Sequence, residues 1–148
     1  MMAFNFFAKN VYDEDLCFIR DLIEVGSAIA DVTSIPVMRN IINGIIDRHG
    51  LKGKLMEYTE NGHYRVQDCY PTDRNKRFKR AGDLLSAANC LSISEEEKGH
   101  IKYKAVCCTK RMGFNYDEKV NLIKKYLIQP TGNKDIDDIL IQSYLDIL

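Results

Sequence analysis

A run of basic side chains between Pro71 and Arg80 is the first part of this sequence with residue types suited to ligand chemistry. It carries five cations and one anion, and it opens a segment with helical periodicity. Cations on the outer face of such a helix can bind nucleic-acid phosphates, and each phosphate contact steepens the salt dependence of binding. A solvated helix face, or pairing with the acidic first helix, is the open alternative. The candidate phosphate contacts are Arg74, Lys76, Arg77, Lys79 and Arg80.

A second set of polar side chains belongs to an amphipathic segment at residues 35–49. Apolar residues recur there every three to four positions, which is the period of an α-helix with one buried face. A serine before the segment and a glycine after it are typical helix boundaries. Arg39, Asn40 and Asn43 lie on the opposite face, where their side chains can form paired hydrogen bonds with base edges.

Two short runs, Lys54–Thr59 and His63–Asp68, have the spacing of a β-hairpin around an Asn-Gly turn. A three-residue loop puts Tyr58 opposite Tyr64 on one face, whereas a two-residue loop mixes polar and apolar residues on each face. The three-residue loop is therefore preferred. It leaves Arg65 on the other face as a further candidate nucleic-acid contact.

This order of helix, turn, helix and hairpin resembles the winged helix-turn-helix DNA-binding regulators over about residues 13–69. The string from Glu57 to Val66 looks like the wing of several prokaryotic regulators. The resemblance implies that residues 35–49 form the recognition helix and that DNA is the ligand. Winged domains also serve as protein-docking modules, so a protein partner is equally compatible with it. The first region, residues 1–70, is predicted to contain helices at 13–25, 27–32 and 35–49 and the hairpin at 54–68.

The second region, residues 71–148, is predicted to be helical, with helices at 74–90, 95–112, 116–128 and 134–147. A capping box at Ser94 and Glu97 marks the start of one of them. The last helix either fills the core or pairs with a second copy, and a homodimer through the C-terminal helices is expected. The fold class is mainly α with one β-hairpin, and both regions can form one continuous domain. The apolar stripe of the last helix consists of Ile136, Ile139, Leu140, Tyr144 and Ile147.

Composition narrows the function classes further. The formal net charge is zero, so the chain has no general attraction for phosphate, and any nucleic-acid surface must be local. No apolar run reaches transmembrane length, and Lys9 interrupts the apolar start too early for a signal-peptide core. Five cysteines without a Cys-x-x-Cys spacing indicate reduced thiols. The expected location is the cytoplasm, or the nucleus of a eukaryotic or virus-infected cell, without membrane contact.

Catalysis and cofactor binding have little support in the sequence. His49, His63 and His100 are the three histidines, and none belongs to a recognised catalytic motif. A zinc site from Cys69, Cys90 and His63 would lack a regular ligand spacing. The chain is therefore expected to be no enzyme and to hold no metal or cofactor.

Two functions from different classes remain. The first, which we favour at this point, is a nucleic-acid-binding transcription regulator that acts through the winged helix and the adjacent basic helix. The second is a mainly helical, non-enzymatic protein-interaction adaptor, of viral or mobile-element origin, without a nucleic-acid ligand. The order of elements and the basic run favour the regulator. The zero net charge and the few cations on the recognition helix favour the adaptor.

Overall fold

The computed structural model describes residues 9–29, 35–60, 64–90 and 94–148. Within these ranges the chain is mainly α-helical with one small sheet, which confirms the predicted fold class except for its hairpin. Short 3₁₀ turns follow the first and fourth helices, and a π-helical turn follows the sixth. The helices are α1 (Glu14–Gly26), α2 (Ile35–Arg48), α3 (Lys52–Glu60), α4 (Arg74–Ser86), α5 (Glu95–Lys110), α6 (Tyr116–Leu122) and α7 (Lys134–Leu145), and the strands are β1 (Lys9–Val11) and β2 (Tyr64–Val66).

The predicted hairpin at 54–68 is wrong in two respects. Its first strand, Lys54–Thr59, is part of helix α3, and its second strand pairs with β1 in a parallel arrangement. Helix α3 forms because lysine, leucine, methionine and glutamate, which dominate its sequence, all have high helix propensity. The parallel pairing joins segments that are far apart in the sequence, so it leaves no local signal comparable to a hairpin turn.

Part of the predicted first region lies outside the described residues. The helix predicted at 27–32 begins as the 3₁₀ turn Ser27–Ile29, and residues 30–34 are outside the described ranges. The predicted hairpin loop at 61–63 and the apolar start Met1–Phe7 are also outside them. The remaining predicted helices are present with similar bounds. The helix predicted at 74–90 corresponds to α4 and the 3₁₀ turn after it, and the helix predicted at 116–128 corresponds to α6 and the π-helical turn after it.

The core is built around α1, which packs against α4 and α5. Leu16, Ile19 and Leu22 of α1 are fully buried, and so are Leu84 of α4 and Ile101 of α5. Burial of each such side chain contributes about 1.5–3 kcal/mol. Because α1 belongs to the first predicted region and α4 and α5 belong to the second, one hydrophobic core spans both regions.

Side-chain caps define where the helices begin. The predicted capping box at Ser94 and Glu97 is present at the start of α5. At the start of α1, the Asp13 carboxylate accepts hydrogen bonds from the backbone amides of Asp15 and Leu16. These carboxylates and hydroxyls satisfy backbone N–H groups that have no partner within the helix.

Asp13 also forms an ion pair that makes stability depend on pH. Its Oδ2 lies 2.6 Å from Lys54 Nζ. Burial alone would raise the pKa of Asp13, but hydrogen bonds from Lys54 and from two backbone amides outweigh it and hold this pKa below its usual value. A carboxyl pKa that is lowered by folding stabilises the protein above the unfolded-state pKa, and this stabilisation is lost as the pH falls through the folded-state pKa.

We expect the variant Asp13→Asn to lose less stability than the wild type between about pH 5 and pH 3. Asparagine caps helices as well as aspartate does, so the variant removes the ion pair and keeps the cap. The difference should be at most about 1 kcal/mol, since the pair is partly exposed. Urea unfolding at a series of pH values measures it. The control is the variant Asp73→Asn, because Asp73 caps a helix in the same way and has no lysine partner among the described residues. If both variants reduced the pH dependence of the free energy of unfolding equally, the contribution of the Asp13–Lys54 ion pair would be contradicted.

Candidate interaction surface

The basic run of α4 is largely committed to contacts inside the molecule. Arg80 is 3% exposed, which corrects the prediction that it is a phosphate contact on the outer face. Its Nη2 lies 2.6 Å from Asp15 Oδ1, and its Nη1 donates to the Glu14 carbonyl. Its guanidinium carbon lies 4.9 Å above the centre of the Phe18 ring. A buried charge must be paired to avoid a large desolvation penalty, and the first turn of α1 supplies the partners.

The other cations of the run are less buried. Arg77 donates from Nε to the Pro71 carbonyl and from Nη1 to the Met112 carbonyl, so it ties two loops to α4. Lys76 pairs with Glu14 at 2.7 Å, and Arg74 pairs with Glu118 at 2.9 Å. The alternative that the run pairs with the acidic first helix is thus confirmed for Lys76 and Arg80. Among the predicted contacts on α4, only Lys79 is exposed without an ion pair to a described residue.

The predicted base-reading side chains of α2 face solvent. Arg39, Asn40 and Asn43 are exposed, while Ile45 and Ile46 in the next turn are buried. The side chains of residues 35–38 are not among those that the structure describes. The remaining predicted contact is on β2, where Arg65 is exposed. The structure therefore brings the three α2 side chains together on one exposed face.

His49 anchors the end of α2 to α4. Its Nε2 lies 2.5 Å from Asp83 Oδ2, and its ring meets the edge of Phe18 at a centroid distance of 4.9 Å. A histidine held by a carboxylate acts in acid–base catalysis when a nucleophile or a substrate is within hydrogen-bond reach. Among the described residues, Asp83 is the one hydrogen-bond partner of this ring. The pair therefore fits a structural anchor better than a catalytic unit.

A buried ionic cluster links α1 to the end of α5 and to the segment after β2. The Asp21 side chain is fully buried and accepts hydrogen bonds from Arg20 at 2.9 Å, from Arg111 at 3.0 Å and from the Tyr70 hydroxyl at 3.4 Å. Burial raises the pKa of Asp21, although the two guanidinium groups act in the opposite direction. Burial, and then the Asp21 charge, also raise the pKa of Tyr70, so its hydroxyl remains a donor.

Part of this cluster has the donor set of a metal site. One ligand atom each from Asp21, Glu24 and Cys108 lie within 4.8 Å of one another. However, Arg111 Nη2 lies 3.0 Å from Asp21 Oδ1, 2.7 Å from Glu24 Oε2 and 3.1 Å from Cys108 Sγ. A guanidinium nitrogen thus occupies the place between the three ligand atoms. Burial, and then Asp21, raise the pKa of Cys108 to about 12, which disfavours the thiolate that a metal requires.

The three zinc ligands considered from the sequence, Cys69, Cys90 and His63, do not form a cluster within the residues that the structure describes. His63 and the side chain of Cys90 lie outside the described residues, and Cys69 contributes its backbone N–H to the Cys17 sulfur at 3.4 Å. The Cys17 thiol is itself buried, and burial raises its pKa. Neither observation indicates a ligand role for these two cysteines.

Helix α7 carries a row of exposed apolar side chains. Ile136, Ile139 and Ile147 are 46%, 69% and 42% exposed. At about 3.6 residues per turn, Ile136, Ile139 and Ser143 fall on one line of α7, and Ile147, in the turn directly after α7, continues this line. The stripe predicted from the sequence is therefore divided, because Leu140 and Tyr144 are half-buried on the side of the core. We call Ile136, Ile139 and Ile147 the apolar row.

The opposite face of α7 fixes the helix to the body of the protein. Ile141 and Leu148 are 8% and 4% exposed. The Asn133 side chain accepts from two backbone amides of the first turn. Asp137 accepts from the backbone N–H and the hydroxyl of Thr131 at 2.9 Å and 2.8 Å. The apolar row is therefore exposed on a helix that is held at its start and along its inner face.

Acidic side chains line one side of the apolar row. Asp135, Asp138 and Asp146 are exposed; the first two lie with Gln142 on the adjoining strip of the helix surface, and Asp146, the residue that caps the end of α7, continues this strip. Gln142 donates to Asp146 at 2.9 Å. None of the three aspartates forms an ion pair with a described residue. We call these three aspartates the acidic flank.

None of the helices α1–α7 combines the length and the hydropathy needed to traverse a lipid bilayer. In comparisons with known proteins, no family model, no curated protein and no solved structure matches this chain.

Proposed function

We propose that this chain is a non-enzymatic protein-interaction module that binds a helical segment of another protein on the apolar row of α7. The observation that carries the proposal is the alignment of three exposed side chains, Ile136 and Ile139 of α7 and Ile147 in the turn directly after it, opposite a face that is anchored in the core. Recognition of a helix by a surface of this kind uses apolar anchors at intervals of three, four and seven residues.

The distribution of exposed apolar side chains supports this surface over others. The apolar row contains three large apolar side chains on one line, and the remaining exposed ones within the described ranges lie singly on separate segments. Scattered apolar residues are normal on protein surfaces, whereas clustered ones mark contact sites. From Ile136 to Ile147 the row spans roughly 16 Å, which suits about three turns of a partner helix. The single residues are Tyr12, Met56, Tyr103 and Tyr116.

The geometry also weakens the grounds for nucleic-acid binding as the main function. The segment assigned to the wing begins with helix α3, so the wing loses its first strand. Arg80 is buried and Arg77 is bound to two carbonyl groups, so two of the predicted phosphate contacts serve the fold. Because the net charge of the chain is zero, it has no general excess of cations that could replace these two phosphate contacts.

A displayed library of helical peptides tests the proposal. We expect peptides selected on the wild-type chain to lose at least about 100-fold in affinity for a variant with Ile136→Ser, Ile139→Ser and Ile147→Ser. Surface substitutions of this kind change stability little, and circular dichroism verifies folding. The matched control carries Met56→Ser and Tyr103→Ser, which remove exposed apolar side chains elsewhere. Selected peptides that bind the α7 variant as tightly as the wild type would exclude the proposed surface.

Nucleic-acid binding through α2 is a second candidate function, because Arg39, Asn40 and Asn43 are all exposed on one helix face. Anisotropy of a labelled random-sequence duplex, measured at two salt concentrations, tests it. This function requires binding that weakens steeply with salt and that is reduced by Arg39→Ala. Absence of binding at micromolar protein in low salt would eliminate it.

A further inference from the structure

The acidic flank gives the surface of α7 a charge that restricts what can cover it. When the helical wheel is continued through the turn after α7, the apolar row occupies an arc of about 80°, and the acidic flank occupies the next arc of about 80°. On the other side of the row, Leu140, Tyr144 and Ile141 turn towards the protein body. A segment that lies on the row therefore has one free edge along α7, and the residues of α7 and of the turn after it that face this edge are Asp135, Asp138, Gln142 and Asp146.

We propose that the occupant of this surface is a cationic amphipathic helix of a different protein, with lysine or arginine side chains along the edge that faces the acidic flank. This inference rests on the proposed function, and it specifies the partner class. Apolar side chains of the partner cover the apolar row. Its cations pair with Asp135, Asp138 and Asp146, which have no cationic partner among the described residues. Charge pairs at the edge of an apolar contact select partners and steer their encounter.

A second copy of this chain is a poorer occupant for an electrostatic reason. When two identical helices pair in antiparallel fashion about a twofold axis, each flank faces the same flank of the other copy. The acidic flanks would then oppose each other and bring six carboxylates together across one contact. In a parallel pair, each acidic flank would face the side on which the other copy's α7 joins its own core. In the antiparallel pair, each acidic flank therefore meets aspartates of the other copy and no lysine or arginine of its α7 flank.

Designed peptides with a common apolar face test the charge requirement. Two 16-residue helical peptides carry the same leucines at helical spacing, and their free edge carries lysine in one and glutamate in the other. Fluorescence anisotropy gives the dissociation constant of each peptide with the full chain. We expect the lysine peptide to bind at least about tenfold more tightly than the glutamate peptide, with a difference that shrinks at high salt.

Charge-neutral variants locate the effect. In a chain with Asp135→Asn, Asp138→Asn and Asp146→Asn, the ratio of the two dissociation constants should fall to near one. A control with Glu95→Gln and Glu96→Gln, which also removes exposed negative charge from one helix, should keep the ratio. An unchanged ratio in the asparagine variant, or equal binding of both peptides by the wild type, would overturn the cationic partner. Binding of neither peptide would overturn it as well.

Further outcomes separate this inference from the proposed function. If both peptides bind equally and the three isoleucine-to-serine substitutions abolish both, the docking function stands and the cationic partner is wrong. If the lysine peptide binds the serine variant unchanged, the docking function is wrong too. A dimer in sedimentation equilibrium that the serine variant loses would identify a second copy as the occupant. Tighter binding of both peptides after Phe4→Ser, Phe6→Ser and Phe7→Ser would identify the apolar start of this chain.

Discussion

Replacing Asp21 with alanine is expected to lower the free energy of unfolding by about 3 kcal/mol. The Asp21 carboxylate is fully buried and accepts hydrogen bonds from Arg20, Arg111 and Tyr70. Its removal leaves the guanidinium groups of Arg20 and Arg111, which are 21% and 34% exposed, as neighbouring like charges without their shared acceptor. The loss stays near the lower end of the usual range because Arg20 retains Asp68, and Arg111 retains Glu24. Urea unfolding followed by circular dichroism measures the change.

Asp68→Ala is the matched control for this prediction. Asp68 also accepts from the guanidinium of Arg20, at 2.7 Å, but the Asp68 side chain is 51% exposed. Exposed ion pairs contribute at most about 1 kcal/mol, so this variant should change stability little. Equal losses in the Asp21 and Asp68 variants would contradict the account of the cluster, because burial would then have no influence on the strength of the contact.

Replacing Arg80 with alanine is expected to lower the free energy of unfolding by about 3 kcal/mol. The substitution leaves a cavity, exposes the Phe18 ring to it, and removes the hydrogen bonds to Asp15 and to the Glu14 carbonyl. Arg80→Lys should recover only part of the loss, since an ammonium group cannot reach both acceptors with the same geometry.

The neighbouring residue supplies the control for Arg80. Lys79 is exposed and unpaired among the described residues, so Lys79→Ala should change the free energy of unfolding by less than about 0.5 kcal/mol. The two variants have the same change in net charge, and they differ in burial. If Arg80→Ala unfolded at the same urea concentration as Lys79→Ala, the structural role of Arg80 would be excluded, and its side chain would again be available for phosphate.

Local signals in the sequence were sufficient for most helices. The apolar period of α2 and the capping box of Ser94 and Glu97 both act over a few residues, and both are present in the structure. Helix α3 was missed because its run of nine residues is short and its alternation resembled a strand. The pairing of Lys9–Val11 with Tyr64–Val66 was missed because it depends on a contact between distant segments.

The roles of individual charged residues were harder to predict. Asp21 lies four residues after Cys17 and four before Val25, on a line whose other members are buried. Arg80 lies four residues before Leu84, which is also buried. A charge on the apolar line of a helix is a signal for a buried ion pair, but its partners lie on other elements and cannot be identified from spacing. The exposure of the apolar row likewise depends on which face of α7 the core uses.

The position of the binding surface is tested most directly by amide chemical shifts. The ¹⁵N-labelled chain is titrated with the lysine peptide, and each backbone amide is followed. We expect the largest changes at Ile136, Ile139 and Ile147 and in the residues between them. Changes centred on Arg39–Asn43 of α2, with the amides of α7 unaffected, would contradict it and would assign the interaction surface to the polar face of α2.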